Sequence, residues 1–118
     1  MKKADAVCTA YKARTPPLAT PRSYDAIVRW GGKTLPLYAG ALRKLAALRP
    51  PDADAAQARA WLAADRRVQR AVHDLVAAAQ KRDYASVSAA ASRAQLAGSE
   101  SRQAAQALGL QVCGTLGG

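Results

Sequence analysis

At 118 residues the chain has room for one domain with one modest core, and no apolar run in it approaches the roughly 20 residues of a membrane-spanning helix. About a quarter of the residues are alanine, phenylalanine is absent and aromatics make up 5%, so the interior must rest on Leu, Val, Ala and a few Tyr and Trp, and a further constraint is expected to hold it. Eighteen Lys and Arg against eight Asp and Glu give a formal charge of +10, which suits an anionic partner such as nucleic acid, lipid or an acidic protein, but also a plain solvated surface, because the arginines are scattered.

Met1-Lys2-Lys3 reads like the basic start of an export signal, yet Ala4 to Ala10 offers no apolar stretch behind it, and Asp5-Ala6-Val7 before Cys8 is a poor lipobox. The chain as written is expected to carry no export signal, or to be a mature segment whose signal was replaced by an initiator Met. Lys3 to Arg14 reads as a short helix with Ala4, Val7, Cys8 and Tyr11 on one face. Three prolines make Thr15 to Arg22 a loop or extended connector.

Ser23 is placed to cap a second helix, in which Tyr24, Val28, Gly31, Leu35, Tyr38, Leu42 and Leu45 keep one stripe. Pro36 interrupts it, with its ring aimed at the carbonyl of Gly32, the least obstructive residue for that place. Because the stripe holds phase across the proline, a single kinked helix is favoured. The competitor is a hairpin over Ile27 to Pro36 turning at Gly31-Gly32, an isolated ribbon with nothing to pair with.

Arg49-Pro50-Pro51 ends that helix and turns the chain into the longest helical pattern, Asp52 to Arg82. Trp61, Ala64, Val68, Val72, Leu75 and Ala79 form its seam. Asp52 is its expected N-cap, with Lys81 and Arg82 closing the last turn. Asp83 is the next cap. From there Tyr84, Val87, Ala91, Ala94, Gly98, Ser101, Ala105 and Leu108 form a last stripe of mostly small residues, stopped by Gly109 and Leu110. Gln111 to Cys113 reads as an extended tail, with Gly114 to Gly118 frayed.

These elements predict one all-α domain, with an ordered core over about residues 4–113: an up-down four-helix bundle with a short first helix and a kinked second. With an even number of helices both termini fall at one end, so a Cys8–Cys113 disulfide is geometrically reasonable and supplies the missing constraint. The alternative is two free buried thiols in a cytosolic protein. Cysteines this far apart are not a thiol-disulfide exchange pair.

Chemical sites are sparse. Gly32-Lys33-Thr34 imitates the end of a phosphate-binding loop, but Ile27 stands where its first glycine is needed. One histidine, His73, and two distant cysteines do not make a zinc site, and nothing nominates a nucleophile for His73 to serve. Asp65, beside Arg66 and Arg67 at the seam edge, reads as a salt-bridged residue. Trp30, Tyr38 and Trp61 could line an apolar pocket, though in an alanine-rich bundle such residues more often fill the core. Arg43, Lys44 and Arg49 with Arg66, Arg67 and Arg70 could form a basic face, but no aromatics are interleaved for base stacking. No enzyme activity, metal or cofactor is expected.

Cys8 in a short first helix, the ending Leu45-Ala46-Ala47-Leu48-Arg49-Pro50-Pro51 of a proline-bearing second, a long arginine-rich third, then Asp83-Tyr84 and Ala107-Leu108-Gly109-Leu110-Gln111-Val112-Cys113 form a layout. It resembles small secreted or lipoprotein-like helical proteins of high-GC bacteria. The resemblance implies an exported, disulfide-closed bundle and brings no catalytic residues. The leading expectation is therefore a non-enzymatic binding or structural module at the cell envelope, meeting an anionic component or another protein. The alternatives are a basic cytosolic protein associated with nucleic acid and a carrier of small apolar ligands.

Overall fold

Prolines, capping side chains and left-handed backbone closures set the helix ends. The computed structural model describes residues 2–15 and 23–115. In it α1 spans Lys2–Arg14, α2 Tyr24–Ala47, α3 Ala55–Gln80 and α4 Tyr84–Ala107, with short 3-10 turns at Asp52–Asp54 and Cys113–Thr115. The Thr15–Arg22 connector lies, after Thr15, outside the described residues.

Ser23 caps α2 as expected, its Oγ accepting from the Ala26 N–H at 3.1 Å. The helix then runs without interruption through Pro36, so the hairpin alternative falls. Pro36 and Gly32 both lie on the exposed side of α2, where water can serve the Gly32 carbonyl that the proline cannot. The start of α3 differs from expectation. Asp52 sits in the 3-10 turn, where the Asp54 N–H reaches the Pro51 carbonyl at 2.8 Å, and α3 begins only at Ala55. Asp54 takes the cap position without a side-chain bond, and the two carboxylates there oppose the helix dipole instead.

The C-termini of α3 and α4 close in the same way. The Leu110 N–H bonds the Ala105 carbonyl and the Gly109 N–H that of Gln106, with Gly109 at φ 77°, a double closure that needs a left-handed residue. At the end of α3 the Asp83 N–H reaches Ala78 and the Arg82 N–H reaches Ala79, but here the left-handed residue is Arg82, at φ 55°. Arg82 thus stands outside the helix it was expected to close. Its guanidinium lies 3.5 Å from Asp25 and 5.9 Å from the centroid of the Tyr24 ring, so the strained residue ties the α3–α4 turn to the start of α2. Asp83 then caps α4 through the Ser86 N–H at 3.2 Å. The Ser86 hydroxyl, donating at 2.8 Å, and the Ser86 N–H together hold the Asp83 carboxyl below the ordinary range.

The helices alternate in direction. The result is an up-down four-helix bundle measuring 45 × 24 × 21 Å, with α3 between α2 and α4 and α1 against α2. Since α1 has 13 residues against 24–26 for the others, it covers only the end of the bundle where the termini lie. That end holds one core cluster: Ala4, Cys8, Leu45, Trp61, Ala105, Leu110 and Cys113. The far end holds another, built from Ile27, Leu75, Ala79 and Ala90.

At Gly31 α2 lies close against α3: a Cβ there would run into the Val76 side chain. On α3 the buried set differs from the seam read from sequence: Val68 and Val72 are only half-buried, while Ala58, Asp65, Ala71 and Ala78 are buried, because a helix between two neighbours buries two faces. On α4 the buried residues are Ala90, Ala97, Ser101 and Ala105. Tyr84, expected in the stripe, is 76% exposed. A row of Ala, Ser and Gly gives too little contrast in hydropathy to fix the phase of the buried face.

Candidate functional site

Three groups of polar side chains stand out, and the first is the closure of the termini. Cys8 and Cys113 are joined by a disulfide, with their Cα atoms 5.4 Å apart and a separation of 105 positions in sequence. One turn before Cys8, the Asp5 carboxylate accepts three backbone N–H groups from the returning chain. Gln111 donates to Oδ2 at 3.0 Å, while Val112 and Cys113 donate to Oδ1 at 3.0 and 3.2 Å. Successive N–H groups converging in this way form a concave anion site, which here the protein fills with its own carboxylate. Partial burial pushes the Asp5 carboxyl up, but the three donors pull it down further and leave it below the ordinary range. Gln111 to Cys113 is therefore a fastened loop rather than the expected extended tail. Gly114, expected to fray, is buried, and its carbonyl accepts from Gln106 Nε2 at 3.0 Å; residues 116–118 lie outside the described residues.

The second group surrounds Asp65. The side chain is buried and accepts from Ser101 Oγ, while the Tyr38 hydroxyl donates to the Asp65 backbone carbonyl at 3.2 Å. Burial pushes the Asp65 carboxyl up against the opposing bond from Ser101. Burial and the adjacent Asp65 push the Tyr38 hydroxyl up as well. The expected salt bridge with Arg66 or Arg67 does not form. Arg66 points outward, and Arg67 pairs with Glu100 at 3.0 Å. The sequence placed Asp65 at the seam edge but gave no sign that Ser101 would meet it, since that pairing depends on the register of α3 against α4.

The third group is an open groove between α3 and α4, of about 350 Å³, lined by Arg67, Arg70, Ala71, Asp74, Arg93, Leu96, Ala97 and Glu100. Arg67–Glu100 spans one end at 3.0 Å and Asp74–Arg93 the other at 3.8 Å. Of the six residues grouped from sequence as a basic face, Arg67 and Arg70 line this groove among acidic neighbours. Arg43 and Lys44 are on α2, which α3 separates from α4. Arg49 lines a separate groove at the α2–α3 turn with Lys3, Ala4, Leu48 and the two prolines.

Trp30, Tyr38 and Trp61 do not line either groove. Trp61 is buried in the core cluster that holds the disulfide, the Tyr38 ring stands edge-on to Tyr11 at 5.5 Å, and Trp30 is half-buried on α2. Trp30 Nε1 and Thr34 Oγ1, one turn apart, are buried without a hydrogen-bond partner. Gly32-Lys33-Thr34 lies inside α2 rather than in a phosphate-binding loop. His73 is exposed, 3.9 Å from Asp74. Among the described residues no three acidic, His or Cys side chains gather where a metal could be held, and no helix is long and apolar enough to cross a membrane. No family model, curated protein or solved structure matches this chain.

Proposed function

We propose that the protein is an exported, non-enzymatic helical bundle that serves as a binding or structural module at the cell envelope. The observation that carries this reading is the fastening of the two termini by the Cys8–Cys113 bond. A lasting structural disulfide belongs to oxidising compartments. In a core with no phenylalanine and many alanines, closing a loop of about 100 residues is worth up to about 4.7 kcal/mol in the chain-entropy account. The resemblance to small secreted helical proteins of high-GC bacteria points the same way. A surface of +10 suits an anionic envelope component.

The test is a thiol count on protein recovered from its native cells, alkylated under denaturing conditions without reductant and weighed intact. Two blocked cysteines that become alkylatable after reduction support the proposal. Two free thiols overturn it and favour the cytosolic nucleic-acid reading, whose signature is affinity for DNA that falls steeply with added salt.

A further inference from the structure

The groove between α3 and α4 carries its charges in a checkerboard. Along α3 the order is Arg67 then Asp74, with Arg70 between them; beside them on α4 stand Glu100 and Arg93, so Arg67 and Arg93 each have an anion across the groove and another along their own helix. Such a pattern is complementary to its own image. We propose that this face is a homodimer interface, with the helices of the two copies parallel about a two-fold axis along the groove, α3 of one copy over α4 of the other.

In that arrangement Arg67 faces Glu100 of the second copy and Asp74 faces its Arg93, and symmetry repeats both contacts. Arg70, midway between the pairs, lies over Leu96 of the second copy. The antiparallel alternative also sets opposite charges against each other, Arg67 on Asp74 and Glu100 on Arg93. It brings Arg70 onto its own symmetry mate, however, and is disfavoured on that ground.

Three further features support a second copy as the occupant. Leu96, in the centre of the face, is 65% exposed, and the exposed large apolar side chains among the described residues are this leucine and Tyr84. The helical rows that carry the charges continue as alanines, Ala60, Ala63 and Ala77 on α3 and Ala89 on α4, which let a neighbouring backbone come close. The lining charges sum to only +1, three arginines against Asp74 and Glu100, on a chain of +10, so two copies meet here with little of the repulsion that their net charge would cause elsewhere. Helices of 24 and 26 residues are about 36–39 Å long. Two side by side, each about 10 Å wide, offer roughly 700 Å² per copy, close to the ~800 Å² per partner of a standard interface.

The experiment is sedimentation equilibrium on the oxidised full chain, with helix content checked by circular dichroism. The wild type should self-associate in the micromolar range. Glu100→Arg sets four like charges together in its own dimer, and so does Arg67→Glu; each alone should associate at least about tenfold more weakly, while folding is little affected because exposed ion pairs contribute little to it. Mixed in equal amounts, the two variants should form a heterodimer, since every cross-copy charge pair then joins opposite charges. The intramolecular Arg67–Glu100 pair alone gives no reason for rescue in trans, and the antiparallel arrangement predicts none. A wild type still monomeric at about 1 mM, variants that associate as it does, or a mixture that stays monomeric would each overturn the proposal.

Discussion

Replacing Asp5 by Asn keeps the size and shape of the side chain and removes its charge. In the native protein Oδ1 accepts from Val112 and Cys113 and Oδ2 from Gln111. An asparagine can turn its carbonyl to the first two donors, but its NH₂ then faces the Gln111 N–H, donor against donor. One hydrogen bond is lost, at about 1 kcal/mol, and two lose their charge assistance, at about 0.5 kcal/mol each once solvent exposure is allowed for. The expected destabilisation is about 2 kcal/mol. With about 2.1 cal/mol/K of unfolding entropy per residue, a chain of 118 residues should melt about 8 °C lower by calorimetry at neutral pH.

The pH dependence provides a second check. Because the native Asp5 carboxyl sits below its ordinary 3.8, its contribution is fully present above that value and fades as pH falls through the native value. The gap in melting temperature between wild type and D5N should therefore close in acid. A shift under about 2 °C at pH 7, or a gap that persists unchanged to about pH 2, would refute the reasoning.

Asp65 should behave with the opposite sign. Its carboxyl is raised by burial, so between 3.8 and that raised value the native state holds more protons than the unfolded chain, and stability falls as pH rises through the window. Asp65→Asn keeps an acceptor for Ser101 without a buried charge and should stabilise the protein by about 1 kcal/mol at pH 7, with no difference below 3.8; urea unfolding at the two pH values checks this, and a destabilised variant at pH 7 would contradict it. Gly31→Ala should be destabilising by about 2 kcal/mol in spite of alanine's better helix propensity, because the new methyl would meet Val76. Adding Val76→Ala should restore part of the loss, and purely additive effects in a double-mutant cycle would show that the contact is not the cause.

Much of this architecture was legible because it depends on residues with strong local preferences. Ser23 and Asp83 cap, Pro50-Pro51 turn the chain, and Gly109 with Leu110 closes the last helix; each does so through its own backbone within a few residues. The pairing of Cys8 with Cys113 followed from helix count, since an even number of alternating helices brings the ends together. What escaped was set by contacts between distant segments. Nothing near Asp5 says that residues 111–113 will present three N–H groups to it, although its place one turn before Cys8 puts both on the side of α1 that meets the returning chain. Arg82 in a left-handed conformation breaks the local rule that glycine belongs there, and only its contacts with Asp25 and Tyr24 on α2 account for it. The basic face read from sequence assumed that α2 and α3 would align their cations. Instead α3 turns Arg67 and Arg70 toward α4, where Asp74 and Glu100 answer them.

The position of the disulfide also decides how the molecule would bear a load. Seven residues precede Cys8 and five follow Cys113. Tension applied through those two flanks would run from one strand across the Cys8–Cys113 sulfurs and out through the other. The three long helices hang on this link as a closed side loop, outside the line of force. A pull of that kind would unwind α1 as far as Cys8, drawing Ala4 and Asp5 from their places, and leave the three long helices folded until the covalent link itself gave way. Reduction would put the same helices in series with the load, so one two-electron reaction would convert an inextensible junction into a chain of more than 100 residues able to pay out under force.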